Sequence, residues 1–315
     1  VLLHGGQPDQ RVGTGQKHIP PFLDTPQLDP ALALVHLLPV PMEATVSYGG
    51  GTALGPRAIL EASFQLELYD REFDCEPGLL YGVHTLNEME LSSDPARAIH
   101  QIAERVADAY RSDKLLGVLG GEHSLTYGVL KGLLSKRPEP LVVVQIDAHS
   151  DLRDQYEDSP YSHASVARRM LELPQIEQIL QLGIRSLCTE EAEVIRNEPR
   201  VRTWFTEDVH NGSFVDELRQ RVRGKDLYLT VDVDGFDPTL IPCTGTPEPW
   251  GLSYIQGEQI FRILAEEARL VAFDCVELAP VAGQHASDFI VAKLVYRLMN
   301  LFLRNKINTL KEEQS

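Results

Sequence analysis

Several runs in this chain are apolar at nearly every position, with no alternation of apolar and polar, and that limits its architecture most. Leu141–Ile146 and Leu227–Val231 are the clearest. Successive residues of a strand face opposite sides of the sheet. A strand apolar on both sides must be covered on both, as in a parallel sheet between helical layers. Ala33–Val40, Leu79–Val83, Leu115–Leu119, Ile179–Ile184, Val201–Phe205 and Leu270–Cys275 read the same way. Helical patterns lie between them, at Pro56–Tyr69, Pro95–Ser112, Leu125–Leu134, Glu190–Asn197, Tyr254–Ala268 and Ala286–Leu303. Pro56 suits a first helical turn, and Thr189 and Ser253 fit N-cap positions. The pattern predicts one doubly covered, mostly parallel α/β domain over residues 31–315, preceded by an irregular extension over 1–30.

The formal charge of −17 disfavours nucleic acid and anionic membranes as partners, because phosphate binding wants clustered Lys and Arg, and it suits a small cation. Cys75, Cys188, Cys243 and Cys275 are scattered without a paired spacing, so reduced thiols in a cytoplasmic protein are expected. No apolar run reaches the length of a membrane span, and the opening residues lack a signal-peptide core. Because the chain starts with Val, a preceding segment is left open.

Chemistry concentrates directly after the apolar runs. Asp147-Ala148-His149-Ser150-Asp151 follows one, and Asp232-Val233-Asp234-Gly235-Phe236-Asp237-Pro238 follows another. If the strands persist, Asp147, His149 and Asp151 share a face, and so do Asp232 and Asp234. Carboxylates gathered in that way repel one another unless a cation lies between them. Their number suggests two ions, and the mixture of carboxylate and imidazole without thiolate fits Mn²⁺, with Fe²⁺, Co²⁺, Ni²⁺ or Zn²⁺ as alternatives. Gly120-Gly121-Glu122-His123-Ser124 and Glu277 also follow strand candidates, and in open parallel sheets ligands bind beyond the carboxyl ends of strands. Alone, His123 would read as a loop or cap residue; beside the two Asp clusters it reads as a ligand. Asp237-Pro238 reads as a turn. His36, His84, His100 and His210 read as packed or solvated, and His4 and His18 fall in the N-terminal extension. His285 borders a strand end, and His163 opens a helix a short distance after the Asp147 cluster.

Taken together, GGEHS (Gly120–Ser124), DAHSD (Asp147–Asp151), SHAS (Ser162–Ser165), DVDGFDP (Asp232–Pro238), TGTPEP (Thr244–Pro249), VELAP (Val276–Pro280) and the Gly-rich segment from Gly49 resemble the ureohydrolases, the family of arginases and agmatinases. The resemblance spans roughly Leu34 to Leu303 with the stretches in the family's order. It implies a three-layer sandwich around an eight-stranded sheet, assembly into homotrimers or homohexamers, and two Mn²⁺ ions. Carried over, His123, Asp147, Asp151 and Asp232 would hold one ion, and Asp147, His149, Asp232 and Asp234 the other. His163 matches the family's proton-transfer histidine, Glu277 the carboxylate that anchors the guanidinium, and Asp151 also orients the nucleophile. Two ions about 3.5–4 Å apart can activate water at neutral pH. A guanidino compound would then be cleaved to urea and an amine.

The substrate follows less directly. Leu152–Pro160 lacks the arginase loop pattern, and its Asp154, Glu157 and Asp158 would suit the second cation of agmatine, giving putrescine and urea in polyamine synthesis. Arg153 favours instead a carboxylate-bearing substrate such as guanidinobutyrate. Trp250, where many agmatinase-like sequences have Gly, could shorten the pocket, stack on substrate or serve a subunit contact. Aminopropylagmatine, guanidine and arginine stay open. A catalytically silent metal-binding relative and a two-metal phosphoester hydrolase are the rival readings. The first is opposed by the presence of every ligand position, and the second by the scarcity of basic residues near the clusters.

Overall fold

The computed structural model describes residues 19–25 and 27–314. Its strands are β1 (Val35–Val40), β2 (Val83–Thr85), β3 (Leu115–Gly120), β4 (Leu141–Ile146), β5 (Ile176–Ile184), β6 (Val201–Phe205), β7 (Asp226–Asp232) and β8 (Arg269–Val276). They form one sheet in the order β2-β1-β3-β8-β7-β4-β5-β6, and every pairing is parallel. The helices are α1 (Gly55–Ser63), α2 (Pro77–Tyr81), α3 (Pro95–Ala109), α4 (Leu125–Lys136), α5 (Val166–Met170), α6 (Thr189–Asn197), α7 (Thr206–Asn211), α8 (Val215–Val222), α9 (Tyr254–Glu267), α10 (His285–Phe302) and α11 (Arg304–Gln314).

The apolar strands are explained by two separate cores. Val142, Val144 and Ile146 of β4 pack with residues of α1, α8, α9 and α10, whereas Leu141 and Val143 pack with α3, α4 and α5. β1 divides likewise, Val35 and Leu37 to one side and Leu38 and Val40 to the other. The expected three-layer sandwich is therefore present, and the sheet is wholly rather than mostly parallel.

Local differences have local causes. Leu79–Val83, read as a strand, is helix α2 followed by a break at Gly82 (φ 63°) and the short strand β2. Pro77 opens that helix, and exposed Leu79 has no second core to fill. Helix α1 stops at Ser63, well short of Tyr69. The Ser63 hydroxyl donates to Leu60 O (2.6 Å) and accepts from the Leu23 amide (2.7 Å), offering the backbone partners outside the helix. Ser253 caps α9 as expected, but Thr189 is already helical and Cys188 holds the cap position. Of the stretch expected to be an irregular extension, residues 1–18 lie outside the described residues. Phe22 and Leu23 are buried in the core.

Phe273 of β8 is fully buried, and its ring fills the space that Gly117 leaves on β3: a Cβ at 117 would lie 2.4 Å from that ring. Phe273→Ala should leave a cavity that glycine cannot fill and cost about 3–5 kcal/mol. Denaturant unfolding measures this, and a loss under 1 kcal/mol, roughly the exposed-site scale, would contradict the packing argument.

Candidate metal centre

Residues at the carboxyl ends of β3, β4, β7 and β8, four strands adjacent in the sheet, meet in one pocket. Five of the six predicted ligand residues line it and the sixth, Asp147, lies fully buried against them, although not by strand alternation. β4 ends at Ile146, and Asp151 lies in an irregular segment with φ 54°. β7 ends at Asp232 and turns into a 3₁₀ helix, in which the Asp234 amide donates to Asp232 Oδ1 (2.9 Å). His123, Asp147 and Asp151 form one potential metal-holding group, and Asp147, His149 and Asp234 form a second that shares Asp147. Asp232 joins the first, its Oδ2 being 3.3 Å from His123 Nδ1.

His123 provides the test of whether a cation fits. Its Nε2 pairs with Thr230 Oγ1 at 2.8 Å, so Nδ1 is the nitrogen turned to the carboxylates. With Nε2–H donating to that hydroxyl, Nδ1 presents a lone pair. That buried Nδ1 has no hydrogen-bond partner, yet Oδ2 of Asp147 and of Asp151 lie 3.1 Å away. Lone pair facing lone pairs is satisfied by a cation, so the donor set fits a divalent metal. Without one, protons take its place. Burial opposes protonation of His123, but the three aspartates raise its pKa well above the ordinary value. Burial also resists protonation of His149, and Asp234 overrides it to give about 11. Burial and then Asp147 lift Asp151 to about 6. Asp232 is raised by burial and then Asp234, whereas Asp234, despite burial, is held at about 2 by His149.

Glu277 stands opposite. Its Oε1 accepts from the His123 amide (2.6 Å), and its own amide donates to Gly121 O (2.9 Å). Those contacts hold it at φ 65°, a left-handed conformation uncommon for Glu. Burial and then Glu122 push its pKa up to about 8, and a cationic group beside it would favour the charged form. His163 lines the same pocket from a 3₁₀ turn capped by Ser162.

A model of the arginase family matches residues 33–300. The chain belongs to the arginase family. It is 40% identical over 272 residues to the N(1)-aminopropylagmatine ureohydrolase of a Synechocystis species, covering 85% of this chain and 88% of that protein. It is 30% identical over 284 residues to the agmatinase of Pyrococcus horikoshii, covering 90% and 96%. The crystal structure of the agmatine ureohydrolase of Thermoplasma volcanium superposes with TM-score 0.78 at 30% identity, covering 89% of this chain and 94% of that one. The chain is thus an arginase-family ureohydrolase, and the His/Asp cluster is where this family member can bind metal.

Other expectations fare differently. Asp154 pairs with Arg169 (2.8 Å), Glu157 and Asp158 are exposed, and none of the three lines the pocket. These acids lie on an exposed loop outside the pocket lining. Arg153 does line a side compartment of about 210 Å³ beside His149 and His163, but its guanidinium lies over the Tyr156 ring and near Glu191. Trp250 is exposed against His210 and lines neither space. His285 borders a separate groove with Leu54 and Phe289. Asp237 caps its own turn through the Thr239 amide (3.0 Å), as expected. Gly120 and Gly121 have no positive φ; Gly121 is needed because a Cβ there would lie 2.1 Å from Met42 O.

Supporting residues escaped the sequence reading. Gln145 donates to Asp147 Oδ2 (2.8 Å) and accepts from Gln181 (3.0 Å), which accepts from Thr203 (2.8 Å), a polar ladder across β4, β5 and β6. Arg185 donates to the carbonyls of Asp234 (2.6 Å) and Glu248 (2.9 Å), tying the Asp232 loop to the Thr244–Pro249 loop. The one available signal was a polar residue interrupting an apolar strand.

Metal uptake must displace the protons that now balance the carboxylates. Affinity should therefore weaken as pH falls through about 6, where Asp151 protonates. Titration calorimetry in buffers of different ionisation enthalpy should show proton release on binding. An affinity unchanged across that pH would contradict the charge assignment.

Proposed function

We propose that the protein hydrolyses the guanidino group of agmatine, releasing urea and putrescine, with two Mn²⁺ ions as cofactor and Ni²⁺ or Co²⁺ as substitutes. The observation that carries this reading is a partly buried glutamate, Glu277, lining one pocket together with a His/Asp cluster. His123, Asp147, Asp151 and Asp232 would hold one ion, and Asp147, His149, Asp232 and Asp234 the other. When bound, such ions supply a water activated for attack at neutral pH. Glu277 would accept charge-assisted hydrogen bonds from the planar NH groups and orient the guanidinium carbon. Asp151 would align the nucleophile. His163 would give the leaving amine its proton and recover one from solvent. A cationic substrate suits a pocket of several carboxylates, and Arg153, which lines the adjoining compartment, is already engaged by Tyr156 and Glu191.

Aminopropylagmatine is the second reading. Relatives from Synechocystis, Thermococcus kodakarensis and Thermus thermophilus carry its name, and the side compartment of about 210 Å³ could house a longer amine tail. The remaining expectations belong to the same proposal: one domain from residue 31 onward, a cytoplasmic location and a homotrimer or homohexamer. Among the described residues no helix is long and apolar enough to cross a membrane.

Urea release by Mn²⁺-loaded protein should be greatest with agmatine among agmatine, aminopropylagmatine, guanidinobutyrate, arginine and guanidine. Preference for the aminopropyl derivative would select the second reading, and a winning carboxylate substrate would return Arg153 to the centre. Glu277→Gln should lower kcat/KM by about 100-fold or more, roughly 3 kcal/mol, with metal content unchanged. A phosphoester hydrolase would be little affected.

A further inference from the structure

Glu122 is fully buried and accepts more hydrogen bonds than a capping role requires. Its Oε2 accepts from the amides of Ala44 (2.5 Å) and Thr45 (2.7 Å). Its Oε1 accepts from the hydroxyls of Ser124 and, at 2.7 Å, Thr45. The Thr45 hydroxyl has one hydrogen and directs it to that carboxylate, so towards everything else it can only accept. What it faces is His163. The His163 amide donates to Thr45 Oγ1 at 3.1 Å, and His163 Nδ1 lies 3.3 Å from the same oxygen. Nδ1 must therefore carry the hydrogen in that contact.

We propose that Thr45, oriented by Glu122, is a positioning residue that fixes the tautomer and ring direction of His163. The inference rests on the reading of His163 as the proton-transfer group. With Nδ1–H committed to Thr45 in both protonation states, only Nε2 exchanges a proton. The imidazolium gives its Nε2 proton to the departing amine nitrogen, stays behind as the neutral Nδ1–H form, and regains a proton at Nε2 from solvent. Tyr156, edge-on with its ring centre 5.9 Å from that of His163, limits rotation on another side. Neither Thr45 nor Glu122 touches the second nitrogen, so the arrangement restricts the ring without occupying its working atom. The segment bearing Thr45 reaches β3 only because Gly121 has no Cβ to meet Met42.

Thr45→Val removes the hydroxyl at nearly constant volume, and Thr45→Ala does so without placing a methyl against Glu122. Glu122 keeps the Ala44 amide, the amide of residue 45 and Ser124, so the fold has other support. Both variants should lose about 10- to 100-fold in kcat with KM and bound Mn²⁺ unchanged, a part of what a general acid contributes. Thr45→Ser should restore most of the rate. Crystal structures of the Mn²⁺-loaded variants should show the His163 ring in more than one orientation in Val and Ala, and in one orientation in Ser. Parental kcat in both Val and Ala, a loss of bound metal, or an unrescued Ser variant would overturn the inference. His163→Ala separates the two levels. A slow His163→Ala beside fully active Thr45 variants removes this inference alone, whereas a fully active His163→Ala removes the proton-transfer reading and this inference with it.

Discussion

Buried negative charge is the constraint on which this structure depends. Asp147, Asp151, Asp232 and Asp234 are each at most a few per cent exposed, and Glu122 and Glu277 stand close by. Carboxylates this close and this dry are tolerable only with cations, donors or protons among them. Each source has its own place. Backbone amides bind the oxygens that face the protein, as with Ala148 to Asp234 Oδ1 (3.1 Å) and His149 to Asp147 Oδ1 (2.6 Å). Oδ2 of Asp151, of Asp232 and of Asp234 meets only the imidazoles of His123 and His149, where a metal could take their place. A parallel sheet suits this task, because adjacent strands end together and their loops can supply groups from four directions to one point.

Much of this was legible in the residues. The two-sided apolar strands called for helices on both faces, and the two cores provide them. The residues proposed as ligands lie in short contiguous stretches, so they could be proposed without any long-range contact. Their convergence was anticipated for the wrong local reason. Strand alternation would have sufficed, but the chain instead leaves the strand and uses a left-handed turn at Asp151 and a 3₁₀ turn after Asp232. Side-chain direction in irregular backbone depends on tertiary hydrogen bonds that no window of sequence contains.

What escaped was the layer behind the ligands. Gln145, Gln181, Thr203, Thr230 and Asp274 are isolated polar residues in apolar strands, each unremarkable until strand order places it beside the next. Thr45 and Glu122 are 77 residues apart, joined only because β1 and β3 are neighbours. The opposite error befell Asp154, Glu157 and Asp158. Their density suggested a recognition surface, but proximity in sequence to a metal cluster says little about which way a loop turns. Asp154 found Arg169 instead.

Substrate selection must then arise from the pocket itself. With the acidic loop turned away, the carboxylates left to meet a cationic substrate are those in and beside the pocket, Glu277 and Glu248 among them. The guanidinium end is well served. The compartment proposed for the far end has charged residues that already satisfy one another: Glu191 accepts from Ser150 Oγ (2.7 Å) and the amides of Leu152 (3.0 Å) and Cys188 (2.7 Å), and Arg153 lies near both it and Tyr156. Such walls offer little to a carboxylate, since Arg153 would have to give up its present contacts. A long amine tail needs no such exchange, only room and water. Discrimination at that end is therefore expected to come from length and from the cost of desolvating a misplaced anion, with no dedicated ion pair.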